Sequence, residues 1–283
     1  RPPKSTLFPY TTLFRSDGGK WEHFKADGPS SNEVAAAGVD EGNGKWFAAQ
    51  GGGLCTYDGV SWRSNMPPGA DARWYFRDFV ADRKGVRWFA TEWGIWRFDG
   101  AEWRTFTKDN SGLAANDTYA LAYDAAGVLW CGTREGVCSF DDTVWKTYTE
   151  AGSPGKLQVL SAGTDNTGAL WFGTVAGLFR FDGSSWVPFE NEPSIGTVAV
   201  RSIAVDGAKV RWFATDAGLV RFDDGKCIRY TRDTSELPDN LVRTVAVDKN
   251  GAVWLSIGGL YSGVVRFDGV TWRKFDEPSM SGI

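Results

Sequence analysis

The sequence is poor in the residue types that carry much of enzyme chemistry. It has 283 residues but one histidine, His23. Zinc sites and serine–histidine–aspartate triads need histidine beside their other groups, so one isolated histidine disfavours both. The four cysteines have no metal-binding spacing, and we interpret them as small core residues. We therefore predict no catalytic residue, no metal site and no cofactor.

The sequence also lacks clustered positive charge and long apolar runs. Its formal net charge is −4, and no run of lysine or arginine stands out. A surface that follows nucleic-acid phosphates needs clustered cations, so we do not expect nucleic acid as a partner. No apolar stretch approaches the roughly 18 residues of a membrane-crossing helix, so we expect no membrane span in this chain.

Residues 1–16, RPPKSTLFPYTTLFRS, share nothing with the remainder of the chain. They resemble a translated sequencing adapter, and they lack the continuous apolar region of a signal peptide. A repeat begins directly after them, at Asp17. We therefore interpret residues 1–16 as a non-native segment and residues 17–283 as one repeat domain.

Tryptophan and glycine are abundant, with 15 and 35 copies. Twelve of the tryptophans fall into two columns with a spacing of 41 or 42 residues, longer only at the final step of the second column, where residues 258–263 hold an insertion. The first column is Trp46, Trp88, Trp130, Trp171, Trp212 and Trp254; the second is Trp21, Trp62, Trp103, Trp145, Trp186 and Trp272, with Cys227 in the place of one member. This period is that of a propeller blade.

Each repeat unit contains four short segments rich in β-branched and aromatic residues, which we name strands a, b, c and d. Turn signals separate them: D-x-x-G between a and b, T-x-x-G between b and c, and D-G between c and d. We predict an all-β fold, a β-propeller of four-stranded antiparallel blades. Six complete blades occupy residues 33–275, and one orphan outer strand precedes them at 21–24. The partial units before and after the six blades indicate that these residues are part of a larger propeller, seven-bladed or double.

The unit D-x-x-G-x-x-W-F-x-T-x-x-G-L-x-R-F-D-G-x-x-W is clearest over residues 165–186, and it resembles the two-component regulator propeller repeat. The resemblance covers residues 17 to about 275. It implies the periplasmic ligand-sensing part of a hybrid histidine kinase, often responsive to polysaccharide fragments. A periplasmic or extracellular location follows from the resemblance, and a kinase would lie outside these residues.

We therefore expect a ligand-binding sensor or recognition module rather than an enzyme. Its partner would be a small molecule or an oligosaccharide, and a homo-oligomer could form through exposed strand edges or the parent protein. Two alternatives stay open. One is a streptogramin-lyase-like or glycan-cleaving propeller enzyme, and the other is a scaffold for protein partners.

The candidate ligand site lies where one blade has residues that the other blades lack, so the repeat itself does not require them. In a propeller, strand a is innermost and starts at the face that carries the b–c turns, where loops gather. Trp74, Arg77, Glu92 and Trp93 all belong to that face of the second blade. Two aromatic rings beside charged groups suit a sugar. The alternative is that the rings pack against the loop at residues 66–68.

The residue 11 positions before each first-column tryptophan is Arg77, Tyr119, Arg201 or Arg243 in four of the blades. Three arginines would make a positive mouth that suits an acidic oligosaccharide. The alternative is that they pair with Glu92, Glu135 and Asp216 in nearby turns. Arg134 and Asp216 in the b–c turns and Tyr261 in the insertion complete the predicted set.

Overall fold

The computed structural model describes residues 14–16, 21–23, 34–40, 42, 44–49, 53–70, 75–82, 84–207, 210–223, 225–258 and 263–275. All regular elements in these ranges are β-strands. The described residues include no helix that could cross a membrane.

The first two strands, β1 (Phe14–Ser16) and β2 (Trp21–His23), form a two-stranded sheet. The other 24 strands form six four-stranded antiparallel sheets, each made of four consecutive strands, which we call blades 1 to 6. The prediction of six complete blades is confirmed. The predicted orphan outer strand coincides with β2, and its partner β1 comes from the segment interpreted as non-native.

The strand bounds follow the predicted a–b–c–d order in every blade. Blade 1 is β3 (Val34–Val39), β4 (Lys45–Ala49), β5 (Gly53–Tyr57) and β6 (Trp62–Ser64). Blade 2 is β7 (Phe76–Ala81), β8 (Arg87–Thr91), β9 (Gly94–Phe98) and β10 (Trp103–Phe106). Blade 3 is β11 (Thr118–Tyr123), β12 (Leu129–Thr133), β13 (Gly136–Phe140) and β14 (Trp145–Tyr148).

The second half of the chain repeats the pattern. Blade 4 is β15 (Val159–Thr164), β16 (Leu170–Thr174), β17 (Gly177–Phe181) and β18 (Trp186–Pro188). Blade 5 is β19 (Val200–Val205), β20 (Arg211–Thr215), β21 (Gly218–Asp223) and β22 (Lys226–Tyr230). Blade 6 is β23 (Val242–Val247), β24 (Val253–Ile257), β25 (Gly263–Phe267) and β26 (Trp272–Phe275). Blades 1 to 3 belong to a compact N-terminal unit that includes Glu22–Tyr148, and blades 4 to 6 belong to a C-terminal unit that includes Thr149–Ile283.

Within each unit the core lies between neighbouring blades, and the first tryptophan column fills it. Trp46 of blade 1 packs on Phe89 and Phe98 of blade 2, with ring centroids 5.4 and 6.2 Å away. Trp171 of blade 4 packs on Phe213 of blade 5 at 5.5 Å. Large buried rings contribute much of the apolar burial in such a core, so the first tryptophan column is structural.

The turn aspartate between strands a and b also positions the tryptophan of strand b. Asp165 accepts hydrogen bonds from the backbone N–H groups of Thr167 and Ala169, and from Trp171 Nε1 at 2.8 Å. Three other blades repeat this bond between tryptophan and aspartate; they pair Trp46 with Asp40, Trp130 with Asp124 and Trp254 with Asp248. The bond satisfies an indole N–H that would otherwise be buried without a partner.

Two of these aspartates also bind the next blade. Arg211 of blade 5 reaches Asp165 of blade 4 at 2.6 Å, and Arg87 of blade 2 reaches Asp40 of blade 1 at 2.7 Å. Burial raises the pKa of Asp165, but hydrogen bonds from Thr167, Trp171 and Arg211 outweigh it and lower the pKa to about 2. The carboxylate is therefore charged when it joins the two blades.

Candidate functional site

A β-bulge interrupts strand a in all six blades, at the end near the b–c turn. The register between strands a and b shifts between the first and third residues of strand a in each blade. The residue inside the bulge is Ala35, Arg77, Tyr119, Leu160, Arg201 or Arg243. These are the same positions that the sequence analysis selected as the mouth of a ligand site. A bulge changes the direction of the side chain at the extra residue, and bulges are common beside functional sites. Each blade therefore has one residue in strand a whose side chain is redirected in this way.

Arg77 and Tyr119 lie together at the bulges of blades 2 and 3. The Arg77 guanidinium stands 4.0 Å from the centroid of the Tyr119 ring, a cation–π arrangement. Both side chains also bind Asp117: Arg77 Nη1 lies 2.5 Å from Asp117 Oδ1, and the Tyr119 hydroxyl donates to Oδ2 at 2.9 Å. Burial and the hydrogen bond to Asp117 raise the pKa of Tyr119.

Arg134 completes this group from the b–c turn of blade 3. Its backbone N–H donates to the carbonyl of Asp117 at 2.8 Å, and its Nη1 lies 3.9 Å from Asp117 Oδ2. The Arg134 side chain is mostly exposed, whereas the Arg77 and Asp117 side chains are largely covered. We call Arg77, Asp117, Tyr119 and Arg134 the blade 2–3 cluster. It carries two positive charges and one negative charge.

The sequence analysis missed Asp117. This residue directly precedes strand a, at a position that is Tyr75, Gln158, Ala199 or Leu241 in other blades. The available signal was the variation of this loop position among the blades, two residues before the bulge residue. The pairing of Arg77 with Asp117 was not among the ion pairs that the sequence suggested, which had Glu92 near Arg77.

Trp93 lies in the b–c turn of blade 2 with its side chain in solvent. The residue is 56% exposed, against 1% for Trp88 of the first tryptophan column. Its indole Nε1 donates to Glu92 Oε1 at 3.1 Å, and its backbone N–H donates to Thr91 Oγ1. Because Thr91 is the register partner of Phe76, this turn stands at the same end of the blade as Arg77.

Tyr75 is a second exposed ring at this end of blade 2, and the sequence analysis did not name it. It is 46% exposed and directly precedes strand β7. Two solvent-exposed aromatic residues therefore flank the end of blade 2 that carries Arg77. Trp74 and Tyr261, which the sequence analysis selected, lie outside the described residues.

In the C-terminal unit, Arg201 and Asp216 form a two-pronged ion pair within blade 5. Arg201 Nε binds Asp216 Oδ1, and Nη2 binds Oδ2 at 2.9 Å. For this arginine the structure has the ion pair that the sequence analysis left as its alternative. Arg243, in the bulge of blade 6, lies against Gly258, where an added Cβ would meet its guanidinium. Among the described residues it has no ion-pair partner.

Glu135 pairs with a lysine rather than an arginine. Lys108 Nζ lies 3.4 Å from Glu135 Oε2, and both side chains are half exposed. Within the described residues the predicted pairing of arginines with turn carboxylates is therefore found for Arg201 and Asp216 alone. Arg77 and Arg201 each bind a carboxylate, so each of these positive charges already has a partner within its own unit.

Comparison with solved structures identifies the fold. The extracellular domain of the hybrid two-component system BT3049 from B. thetaiotaomicron matches with a TM-score of 0.74 at 20% identity, over 92% of this chain and 38% of that chain. The corresponding domain of BT4673 from the same organism matches with a TM-score of 0.72 at 17% identity, over 87% and 34%. Neither a protein-family model nor a curated protein matches the chain.

A lyase has the same fold. A catalytically inactive histidine-to-alanine variant of virginiamycin B lyase from Staphylococcus aureus, with quinupristin, matches with a TM-score of 0.67 at 14% identity, over 86% of this chain and 83% of that chain. At these identities the likenesses establish a β-propeller of four-stranded blades and nothing beyond the fold. The chain spans about two fifths or less of the two sensor domains.

Proposed function

We propose that this chain is the ligand-sensing propeller of an extracytoplasmic two-component sensor. Two independent features support the proposal: the repeat resembles that of the two-component regulator propellers, and the fold is similar to the extracellular domains of BT3049 and BT4673. A sensor propeller acts by binding, so its function depends on a recognition surface rather than on reactive groups.

We further propose that the recognition surface comprises the blade 2–3 cluster together with Tyr75 and Trp93, and that it binds an oligosaccharide. The observation that carries this proposal is the network of Arg77, Tyr119 and Asp117 beside exposed rings. Indole and phenol rings stack on the apolar C–H face of a sugar. In an arginine–carboxylate pair, the guanidinium offers fixed donors and the carboxylate offers acceptors to hydroxyl groups.

The charges of this surface refine the ligand that the sequence suggested. Arg77 is already paired with Asp117, so its charge is largely neutralised before a ligand arrives. Arg134 is exposed and only 3.9 Å from the same carboxylate, which leaves it available to a further acidic group. We therefore expect binding of neutral sugars through the rings and the paired groups, with one uronic carboxylate accommodated beside Arg134.

The test is calorimetric titration of the protein against neutral and uronic oligosaccharides. Replacing Trp93 by Ala should weaken binding by about 1–3 kcal/mol, the usual effect of losing an aromatic anchor. Arg134→Ala should weaken uronic ligands more than neutral ones. Ile228→Ala, on an outer strand of blade 5 and 45% exposed, is the control and should leave affinity unchanged. Unchanged binding in both cluster variants would refute the assignment of the site.

The lyase fold likeness makes an enzyme the second candidate. In the lyase comparison, the inactive variant is one that lost a histidine. The only histidine of this chain is His23, in strand β2. Incubation with quinupristin, with cleavage followed by mass spectrometry, separates the two candidates. We expect no cleavage; turnover that disappears in His23→Ala would favour the enzyme.

A further inference from the structure

Blade 3 departs from the repeat at two facing core positions. The middle residue of strand b is Phe47, Phe89, Phe172, Phe213 or Leu255 in the other five blades, but Cys131 in blade 3. The residue opposite it in strand c is Cys138. Five blades have a large apolar residue at this core position, and only blade 3 has a cysteine there, opposite a second cysteine. This departure from the repeat points to a specific use of the two thiols.

The two cysteines are free thiols in this structure, and they stand directly opposite each other. They are direct register partners in strands β12 and β13, and side chains of directly opposite residues point to the same face of a sheet. Directly opposite residues of antiparallel strands have Cα atoms about 4.5–5.5 Å apart, within the roughly 4.4–6.8 Å that a disulfide spans. Cys138 Sγ also lies 3.9 Å from the carbonyl oxygen of Cys131.

The surroundings of the pair are apolar and closed. Both cysteines are 0% exposed and belong to the core between blades 2 and 3, with Trp88, Ile95 and Leu121. Burial raises the pKa of Cys131 well above its usual value, and the hydrogen bond with the Cys138 thiol raises it further. Reaction is therefore easiest before blade 3 packs on blade 2, when the thiols can still ionise.

We infer that Cys131 and Cys138 form a cross-strand disulfide within blade 3 of the exported protein. The inference rests on the proposed extracytoplasmic function, because disulfides persist in oxidising compartments. In the reaction, the Cys131 thiolate attacks a disulfide oxidant and gives a mixed disulfide. Cys138 then displaces the reduced oxidant thiol. The two thiols lose two protons, and two electrons pass to the oxidant.

The other two cysteines provide an internal control. Cys55 faces Phe47 across strands β4 and β5, and Cys227 faces Phe222 across strands β21 and β22. Neither has a cysteine as register partner. The inference therefore requires one disulfide and two free thiols, not two disulfides.

The decisive experiment refolds the reduced protein in a buffer of oxidised and reduced glutathione, then alkylates it in denaturant. The expected result is alkylation of Cys55 and Cys227 alone, with all four cysteines alkylated after reduction. Trypsin cleaves after Arg134, between the paired cysteines, so a non-reduced digest should contain the peptides 109–134 and 135–146 joined by a disulfide. Four alkylated thiols, or a bond to Cys55 or Cys227, would overturn the inference.

A second experiment distinguishes an error in this inference from an error in the proposed function. The protein is secreted into a bacterial periplasm and alkylated on harvest, and the same joined peptides are expected. Refolding tests the geometry without regard to location or ligand, so its negative result refutes the disulfide even if sugar binding is found. Cys138→Ala should lose the joined peptides, whereas Cys55→Ala should retain them. Melting with reductant should lower Tm by about 5 °C in wild type and leave Tm of Cys138→Ala unchanged.

Discussion

At the scale of single residues, Asp78 of the N-terminal unit is a buried carboxyl with a raised pKa. It follows the bulge residue Arg77 in strand β7. Its carboxylate accepts the backbone N–H of Leu121 in blade 3 at 2.7 Å and that of Phe79 at 2.8 Å. Burial raises the pKa of Asp78 to about 6, and these two hydrogen bonds only partly oppose the rise. The carboxyl thus joins two inner strands while it sits in an environment that disfavours its charge.

The raised pKa of Asp78 determines the direction in which stability changes with pH. The folded carboxyl titrates near 6 and the unfolded one near 3.8, so the folded state binds the proton more tightly. The contribution of Asp78 to the free energy of unfolding is therefore greatest below pH 4 and declines as pH rises through 6, by at most about 3 kcal/mol. Aspartates with lowered pKa values, such as Asp165 with a pKa of about 2, change the free energy of unfolding only at lower pH.

We expect chemical denaturation at pH 5 and pH 7 to detect this residue. Wild type should lose stability between these values, and Asp78→Asn should lose less, because the amide does not titrate. All other titratable groups are present in both proteins, so the difference between them isolates Asp78. An identical pH dependence in the two proteins would show that Asp78 does not titrate near 6.

The two kinds of tryptophan should respond differently to truncation. Trp88 is 1% exposed, and its ring lies 5.4 Å from Phe106 and 5.9 Å from Phe140, whereas Trp93 is 56% exposed. We expect Trp88→Ala to cost about 3–5 kcal/mol of unfolding free energy. Trp93→Ala should cost under about 1 kcal/mol, since a mostly solvated side chain buries little area. Equal losses in urea denaturation would place Trp93 in the core and remove it from the proposed site.

At the scale of strands and turns, one aspartate joins a turn, a core tryptophan and a neighbouring blade. Replacing Asp165 removes three kinds of interaction. These are its hydrogen bond from the Trp171 N–H, its ion pair with the Arg211 guanidinium and its hydrogen bonds within the turn. We expect Asp165→Ala to cost about 3–5 kcal/mol, because a buried Arg211 is left without its counter-charge. Asp182→Ala, in an exposed c–d turn of the same blade, should cost clearly less in the same denaturation assay.

The same elements show how far the sequence determines the fold. The a–b, b–c and c–d turns could be predicted because Asp, Thr and Gly at fixed spacing form the required bonds: Thr174 Oγ1 donates to the Gly177 carbonyl at 2.9 Å, and Gly177 has φ of 116°. The bulges could not be predicted, because a bulge is a shift between two strands and no residue type marks it. The sequence analysis selected these positions by their fixed offset of 11 residues before each first-column tryptophan, without predicting a bulge there.

At the scale of the whole molecule, the tryptophan period predicted six blades, and six are present. The period succeeds because each blade needs a large ring at the same place to fill the space beside its neighbour. The candidate site was predicted less completely. Arg77, Tyr119 and Arg134 were selected separately from the sequence. Asp117, which joins them in the structure, follows no repeat and is visible only once blades 2 and 3 are adjacent.

Domain organisation at the N-terminus gives the last prediction. We interpret residues 1–16 as non-native, so their removal should leave Tm within error. The structure makes this test sharper, since Phe14–Ser16 form strand β1 and pair with β2. Two truncations, lacking residues 1–13 and 1–16, should be compared with the full chain in thermal melts. If both melt like the parent, β1 adds no stability and the interpretation stands. If only the longer truncation melts earlier, pairing of β1 with β2 is part of the folded domain, and the boundary at Asp17 is wrong.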